Sequence, residues 1–126
     1  MAREAIAMTR AELLAFLGTQ RWVALGTLDP DGTPVGDLVP VVLEGERLRF
    51  AVPRGSRADD NIRRDPRVCC AADEFPSYYE IRGAVAHGRA ESHGDAEDRL
   101  GPTWREYAIG LDDVTSFDFR KVRNKY

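Results

Sequence analysis

Cysteine and histidine are scarce: the 126 residues hold two of each. Cys69 and Cys70 are adjacent, and successive strand residues point to opposite faces, so these thiols do not bridge one another. A disulfide framework is thereby excluded, which fits a reducing compartment. His87 and His93 have no cysteine or carboxylate cluster at metal-ligand spacing around them, so no metal site is expected. Long apolar runs are missing too. No stretch approaches a membrane span, and Met1 to Met8 lacks the apolar core of a signal peptide. A cytoplasmic protein without a membrane partner is the expectation. Positive charge is not in excess either. A net charge of −3 argues against nucleic acid as a partner, since such binders carry a basic face. No internal repeat or low-complexity linker divides the chain, and residues 1–126 read as a single domain.

What is present is an ordinary globular balance, 43% hydrophobic and 31% charged residues, with an uneven charge distribution. Residues 54–67 hold five arginines against three acids, whereas residues 91–113 hold seven acids against two arginines. A basic stretch inside an acidic chain suits a small anionic ligand better than a polyanion.

The pattern predicts a mainly β protein with short helices. Thr9 and Glu12 have capping-box spacing ahead of Leu13, Leu14, Phe16 and Leu17, and Gly18 is placed to end that helix. Trp22 to Leu28, Val35 to Leu43 and Leu48 to Val52 read as an antiparallel meander, joined through Asp29-Pro30-Asp31-Gly32 and Glu44-Gly45-Glu46. Ser56 to Arg64 reads as a helix with Asp59 and Asp60 early and Arg63 and Arg64 late, complementing its dipole. Asp65 before Pro66 ends it. Strands are then expected over Val68 to Ala72 and Tyr79 to Ala90, with Gly83 and Gly88 as bulges or points of close approach. A mainly helical stretch is expected over Asp95 to Ile109, interrupted at Gly101-Pro102, and a last strand over Val114 to Val122. About six antiparallel strands point to a closed or partly closed barrel, because closure removes exposed edges.

The strongest chemical signal is Phe50-Ala51-Val52-Pro53-Arg54-Gly55-Ser56-Arg57. A strand runs through a glycine turn into a helix whose first positions carry a hydroxyl and a guanidinium. Free N–H groups, a hydroxyl and a cation together suit a phosphate. The same residues also suit a plain Ser56 N-cap beside solvated arginines, and both readings stand at this point.

Residues 22–90, with the closing segment, resemble the pyridoxamine 5′-phosphate oxidase-like superfamily of flavin-binding split barrels, including its deazaflavin-dependent branch. The resemblance is carried by Gly32-Thr33-Pro34, Leu38-Val39-Pro40-Val41-Val42-Leu43, Phe50 to Arg57, Asn61-Ile62-Arg63-Arg64-Asp65-Pro66-Arg67-Val68, Gly88-Arg89-Ala90 and Ser116-Phe117-Asp118-Phe119-Arg120-Lys121. It implies a six-stranded antiparallel split β-barrel, a homodimer with cofactor sites at the interface, and FMN as cofactor. Carried over, Arg57 pairs with the cofactor phosphate, Ser56 assists and Arg54 is a second cation. Main-chain groups of Val39, Pro40, Val41, Ala51 and Val52 face the ring and ribityl parts, and Asn61 belongs to the same set. Two departures separate this chain from the family's type enzyme. Ala58 stands where a basic residue follows the arginine, and Phe119-Arg120-Lys121-Val122 lacks the histidine of the substrate-phosphate element. Pyridoxamine phosphate oxidation itself is therefore not expected.

The resulting expectation is an FMN-binding oxidoreductase that passes a hydride or electrons to a small molecule. One alternative is a reductase using the deazaflavin coenzyme, for whose acidic tail Arg54, Arg63, Arg64 and Arg67 form a basic track. Another is a non-catalytic flavin- or haem-binding module, with His87 or His93 as candidate iron ligand. Tyr78 and Tyr79 are placed to roof a cofactor or to pack in a dimer. Trp22 and Trp104 suit core or interface positions, and Glu80 and Asp118 suit solvation or arginine pairing. No residue stands out as acid, base or nucleophile, as cofactor-driven chemistry allows.

Overall fold

A computed structural model describes residues 3–77, 80–95 and 100–123. Its strands are β1 (Trp22–Leu28), β2 (Pro34–Glu44), β3 (Arg47–Pro53), β4 (Arg67–Glu74), β5 (Arg82–Arg89), β6 (Glu91–Asp95), β7 (Trp104–Gly110) and β8 (Asp113–Asp118). Four short helices accompany them: α1 (Arg3–Ile6), α2 (Arg10–Gly18), α3 (Arg57–Arg64) and α4 (Arg120–Arg123). The strands form one antiparallel sheet in the order β6-β7-β3-β2-β1-β4-β5-β8, curled around an apolar core.

The long strand β2 makes the curl possible. Its first part pairs with β1, from Leu28↔Pro34 to Trp22↔Pro40. Its last part pairs with β3, from Val41↔Phe50 to Glu44↔Arg47. The changeover falls at Pro40, a residue with no N–H to give to a ladder, while the Val41 amide donates to the Arg21 carbonyl at 3.0 Å. Both strands outrun their mutual pairing, so the sheet opens between residues 34–40 of β2 and residues 51–53 of β3. The β2–β3 loop needs positive φ only at Gly45 (φ 59), which matches a type II′ hairpin turn with glycine first.

The capping box of Thr9 and Glu12 is present in full. It starts α2 so that Leu13, Phe16 and Leu17 enter the core. There they meet Val23 and Leu25 of β1, Phe50 and Val52 of β3, and Ile109 of β7, among others. The Arg82 guanidinium lies 5.1 Å from the Phe16 ring centroid, a cation–π contact. Glu74 accepts from Arg82 and Gln20. Those bonds, the Arg82 contact foremost, hold its carboxyl below the ordinary value.

Several sequence expectations need correction. Eight strands are present among the described residues, not six. Where a helix was expected over Asp95 to Ile109, residues 104–110 form β7, an inner strand paired with both β3 and β6. The final strand ends at Asp118 and gives way to α4. Asp118 accepts from the Arg120 backbone and guanidinium, turning the chain out of the ladder. Gly18 is the last helical residue and Thr19 is the C-cap. The fifth strand starts at Arg82; its expected first residue, Tyr79, lies outside the described residues.

Gly83 is the close-approach point the sequence marks. A Cβ there would sit 2.9 Å from the Ala72 carbonyl oxygen and 2.9 Å from Phe117 Cζ. Gly83→Ala is expected to destabilise the fold by about 1–3 kcal/mol through overpacking, read as a lower urea midpoint. Acid should destabilise it as well. Glu74 and Asp118 have folded-state pKa values below their ordinary ones, each chiefly through an arginine bond. Their contribution is fully present above about pH 4.5 and is lost as pH falls through the lower folded values. Urea midpoints measured from neutral to acid pH should therefore fall below that range, and Arg82→Gln should flatten the fall.

Candidate functional site

The Arg54-Gly55-Ser56-Arg57 segment forms the tight turn between β3 and α3. Ser56 N–H donates to the Pro53 carbonyl at 3.1 Å, with Gly55 at φ 74, as the third position of a type II turn requires. Ser56 is the N-cap, and its hydroxyl accepts from the Asp59 amide at 3.2 Å. Asp59 reaches back into the turn. Its Oδ2 accepts from the Gly55 amide at 2.9 Å, and its Oδ1 accepts from the Tyr107 hydroxyl at 2.6 Å. Arg105 Nε lies 3.2 Å from the same Oδ1. Asp59 is 0% exposed; it is a buried carboxylate held by two hydrogen bonds and one ion pair. Burial, with the hydrogen bond to Asp59 next, holds the Tyr107 phenol above its ordinary pKa.

The arginines of the turn are engaged as well. Arg57 is exposed and forms a two-pronged pair with Asp29 in the β1–β2 turn, one prong at 3.0 Å. This guanidinium is the main cause of the lowered Asp29 pKa. Asn61 is buried and donates from Nδ2 to the Thr27 hydroxyl at 3.1 Å and to Asp29 at 3.0 Å. Arg54 Nε donates to the Pro102 carbonyl at 2.9 Å. Arg64 donates to Asn61 and to the Leu28 carbonyl, and Arg67 pairs with Asp65. Arg54, Ser56, Arg57 and Asn61 are thus gathered at one pole, each joined to the protein's own acceptors or donors.

The remaining predicted positions flank the opening between β2 and β3. Val39, Val41, Ala51 and Val52 are buried, and so is Pro40, leaving their main chain as the part able to meet a ligand. On the sheet surface away from the core, the ladder aligns Leu38, Ala24, Ala71, Val85 and Thr115 in one row. Leu38 is 77% exposed and Trp22, beside it, 59%. Apolar side chains that open to water, grouped on one face, mark an interaction surface.

Other candidates lie elsewhere. His87 is exposed and lines a cleft of about 540 Å³ between β5 and the β7–β8 turn, shared with Arg89 and Asp113. His93 is exposed on β6. Among the described residues no cluster of His, Cys, Asp or Glu has the makings of a metal site. Cys69 and Cys70 are unbridged, and burial pushes the Cys70 thiol up to about 12, which disqualifies it as a nucleophile at neutral pH. Trp22 is exposed, Trp104 half-buried, and Asp118 is paired with Arg120. Tyr78 and Tyr79 lie outside the described residues.

The family model for pyridoxamine 5′-phosphate oxidase matches residues 9–124. The chain belongs to that family. Its members' split barrel is the fold described above. The conserved hypothetical protein Rv2991 from Mycobacterium tuberculosis superposes with a TM-score of 0.84 at 24% identity, over 98% of this chain and 92% of that one. The FAD binding protein from Mycobacterium smegmatis gives 0.72 at 16% identity, over 90% and 97%. A structure named F420 reductase gives 0.64 at 20% identity, over 79% and 93%. No curated protein matches the chain.

A split barrel of this family is a flavin-binding fold, and the residues here fit such a cofactor unevenly. The opening beside Val39-Pro40 and Ala51-Val52, with the apolar face next to it, suits a flat ring. The start of α3 does not fit a phosphate as it stands, because Asp59 already takes the Gly55 amide and Asp29 already takes Arg57.

Sequence reasoning picked the turn but missed Asp59, Tyr107, Arg105 and Asp29. A signal for Asp59 was available: an acid three residues after a serine N-cap is placed to bond amides at the helix start. Tyr107→Phe is expected to cost about 1–3 kcal/mol by leaving a buried carboxylate short of a donor. Thermal or urea unfolding reads this directly, and an unchanged midpoint would show that the bond contributes nothing.

Proposed function

We propose that this chain is a flavin- or deazaflavin-binding oxidoreductase that works as a homodimer. The observation that carries the reading is the opening between β2 and β3, bordered by main chain and lying beside an uncovered apolar face. A second copy seated on the Leu38–Ala24–Ala71–Val85 row would close the opening and enclose a ring system. The bound ring would supply the hydride or electron transfer, and the protein would bind, orient and exclude water. FMN is the first ligand to try. The deazaflavin coenzyme F420 is the second, because Arg54 and Arg63 of the basic track offer cations to an acidic tail. A small molecule completes the reaction as substrate. A storing or sensing role without turnover is the second reading; the internal engagement of Arg54, Ser56 and Arg57 favours it.

Expected outcomes are concrete. The purified chain should be a dimer, and titration with FMN and with F420 should give saturable binding of at least one, near one per chain, by fluorescence. Leu38→Lys should yield a monomer and lose that binding with it, since like charges would face each other on the seam. A wild-type protein that binds neither ligand ends the oxidoreductase reading. A Leu38→Lys monomer that still binds ends the interfacial site.

A further inference from the structure

The start of α3 has the outline of an anion seat: a glycine turn with positive φ, a serine N-cap and a cation beside it. Its anion is built in. Asp59 Oδ2 holds the Gly55 amide at 2.9 Å, the donor that an incoming phosphate would need. From β7, Tyr107 adds a further donor to Oδ1, and the Arg105 guanidinium adds an ion pair. The Asp59 amide is spent on the Ser56 hydroxyl, and the Asp60 amide on the Ser56 carbonyl at 2.9 Å. Charge reinforces geometry. Asp59 and Asp60 both lie in the first turn, where they compensate the helix dipole that would otherwise attract an anion. Ala58 brings no cation; of the turn's arginines, Arg57 is held by Asp29 and Arg54 donates to the Pro102 carbonyl.

We infer that Asp59 is the resident anion of this seat and sets the ligand preference of the site. Phosphate is denied the Gly55, Ser56, Asp59 and Asp60 amides, and phosphate-free forms of the ring cofactor are accepted about as well as phosphorylated ones. Riboflavin should therefore compete with FMN, and the phosphate-free deazaflavin core with F420. The preference among ring ligands rests on the proposed function; occupation of the seat does not.

Two measurements on the intact protein separate these. The first follows the backbone amide resonances of Gly55, Ser56 and Arg57 while inorganic phosphate is added. In the wild type they should stay in place, with the Gly55 amide slow to exchange. In Asp59→Ala they should shift, with phosphate bound at least about tenfold more tightly than by wild type. Should Asp59→Ala fail to fold, Asp59→Asn keeps the shape, removes the charge and should move the same way by less. The second compares FMN with riboflavin. Wild type should prefer FMN by less than about tenfold, and Asp59→Ala should widen the ratio by about tenfold. The inference is overturned if phosphate shifts the wild-type Gly55 amide, or if wild type prefers FMN by tenfold or more. If no ring ligand binds any variant, the proposed function fails, and the phosphate titration still decides who occupies the seat.

Discussion

One buried carboxylate organises this molecule's functional pole. Asp59 is inaccessible to solvent, and a charge removed from water is tolerated only when donors replace its hydration. Two hydrogen bonds do so, from the Gly55 amide in the turn and the Tyr107 hydroxyl on β7, and the Arg105 guanidinium on β7 adds an ion pair. That requirement pins α3 against the sheet in one orientation. With α3 fixed, Asn61 can bridge to Thr27 and Asp29, and Arg57 can close over Asp29. Loosening Asp59 would release the whole set, because each later contact depends on where the helix starts.

The opposite requirement holds at the outer face. There the side chains are small or apolar, and nothing among the described residues covers them. Gly26 and Gly36 face each other across β1 and β2. Next to them the Cys69 sulfur would lie 2.6 Å from a Cβ at Gly26. The result is a low, smooth surface with Leu38 and Trp22 standing above it. A polar, self-satisfied pole and an apolar, unsatisfied face thus meet along β2, the strand that serves both halves of the barrel.

Much of this was legible in the sequence, for local reasons. The Thr9 capping box, the meander of residues 22–52, the Ser56 N-cap and the stop at Asp65-Pro66 each depend on a few neighbouring residues. The strand at 104–110 was not legible. It has four consecutive buried residues, Glu106 to Ile109, so it lacks the alternation that marks a half-exposed strand. An inner strand covered on both faces reads as neither period, and pairing with β3 and β6 decided the matter. The site followed the same division. Arg54, Ser56, Arg57 and Asn61 were recognisable as residue types, but their partners were not. Asp29 precedes Arg57 by 28 positions and Tyr107 follows Asp59 by 48, separations no local pattern reports.

The place of β7 bears on how the chain reaches its native state. Arg47 to Pro53 pairs along its full length with Trp104 to Gly110, so the edge of β3 waits for a segment made much later. Until β7 arrives, the meander presents an unpaired apolar edge, and Asp59 has neither its tyrosine nor its arginine. Closing such a distant pair carries the entropy of the intervening loop, which places barrel closure late and makes it slow. The residue that fixes the site in the finished protein therefore cannot guide the early steps that build it, and the half-made barrel is the species most exposed to sticking to its neighbours.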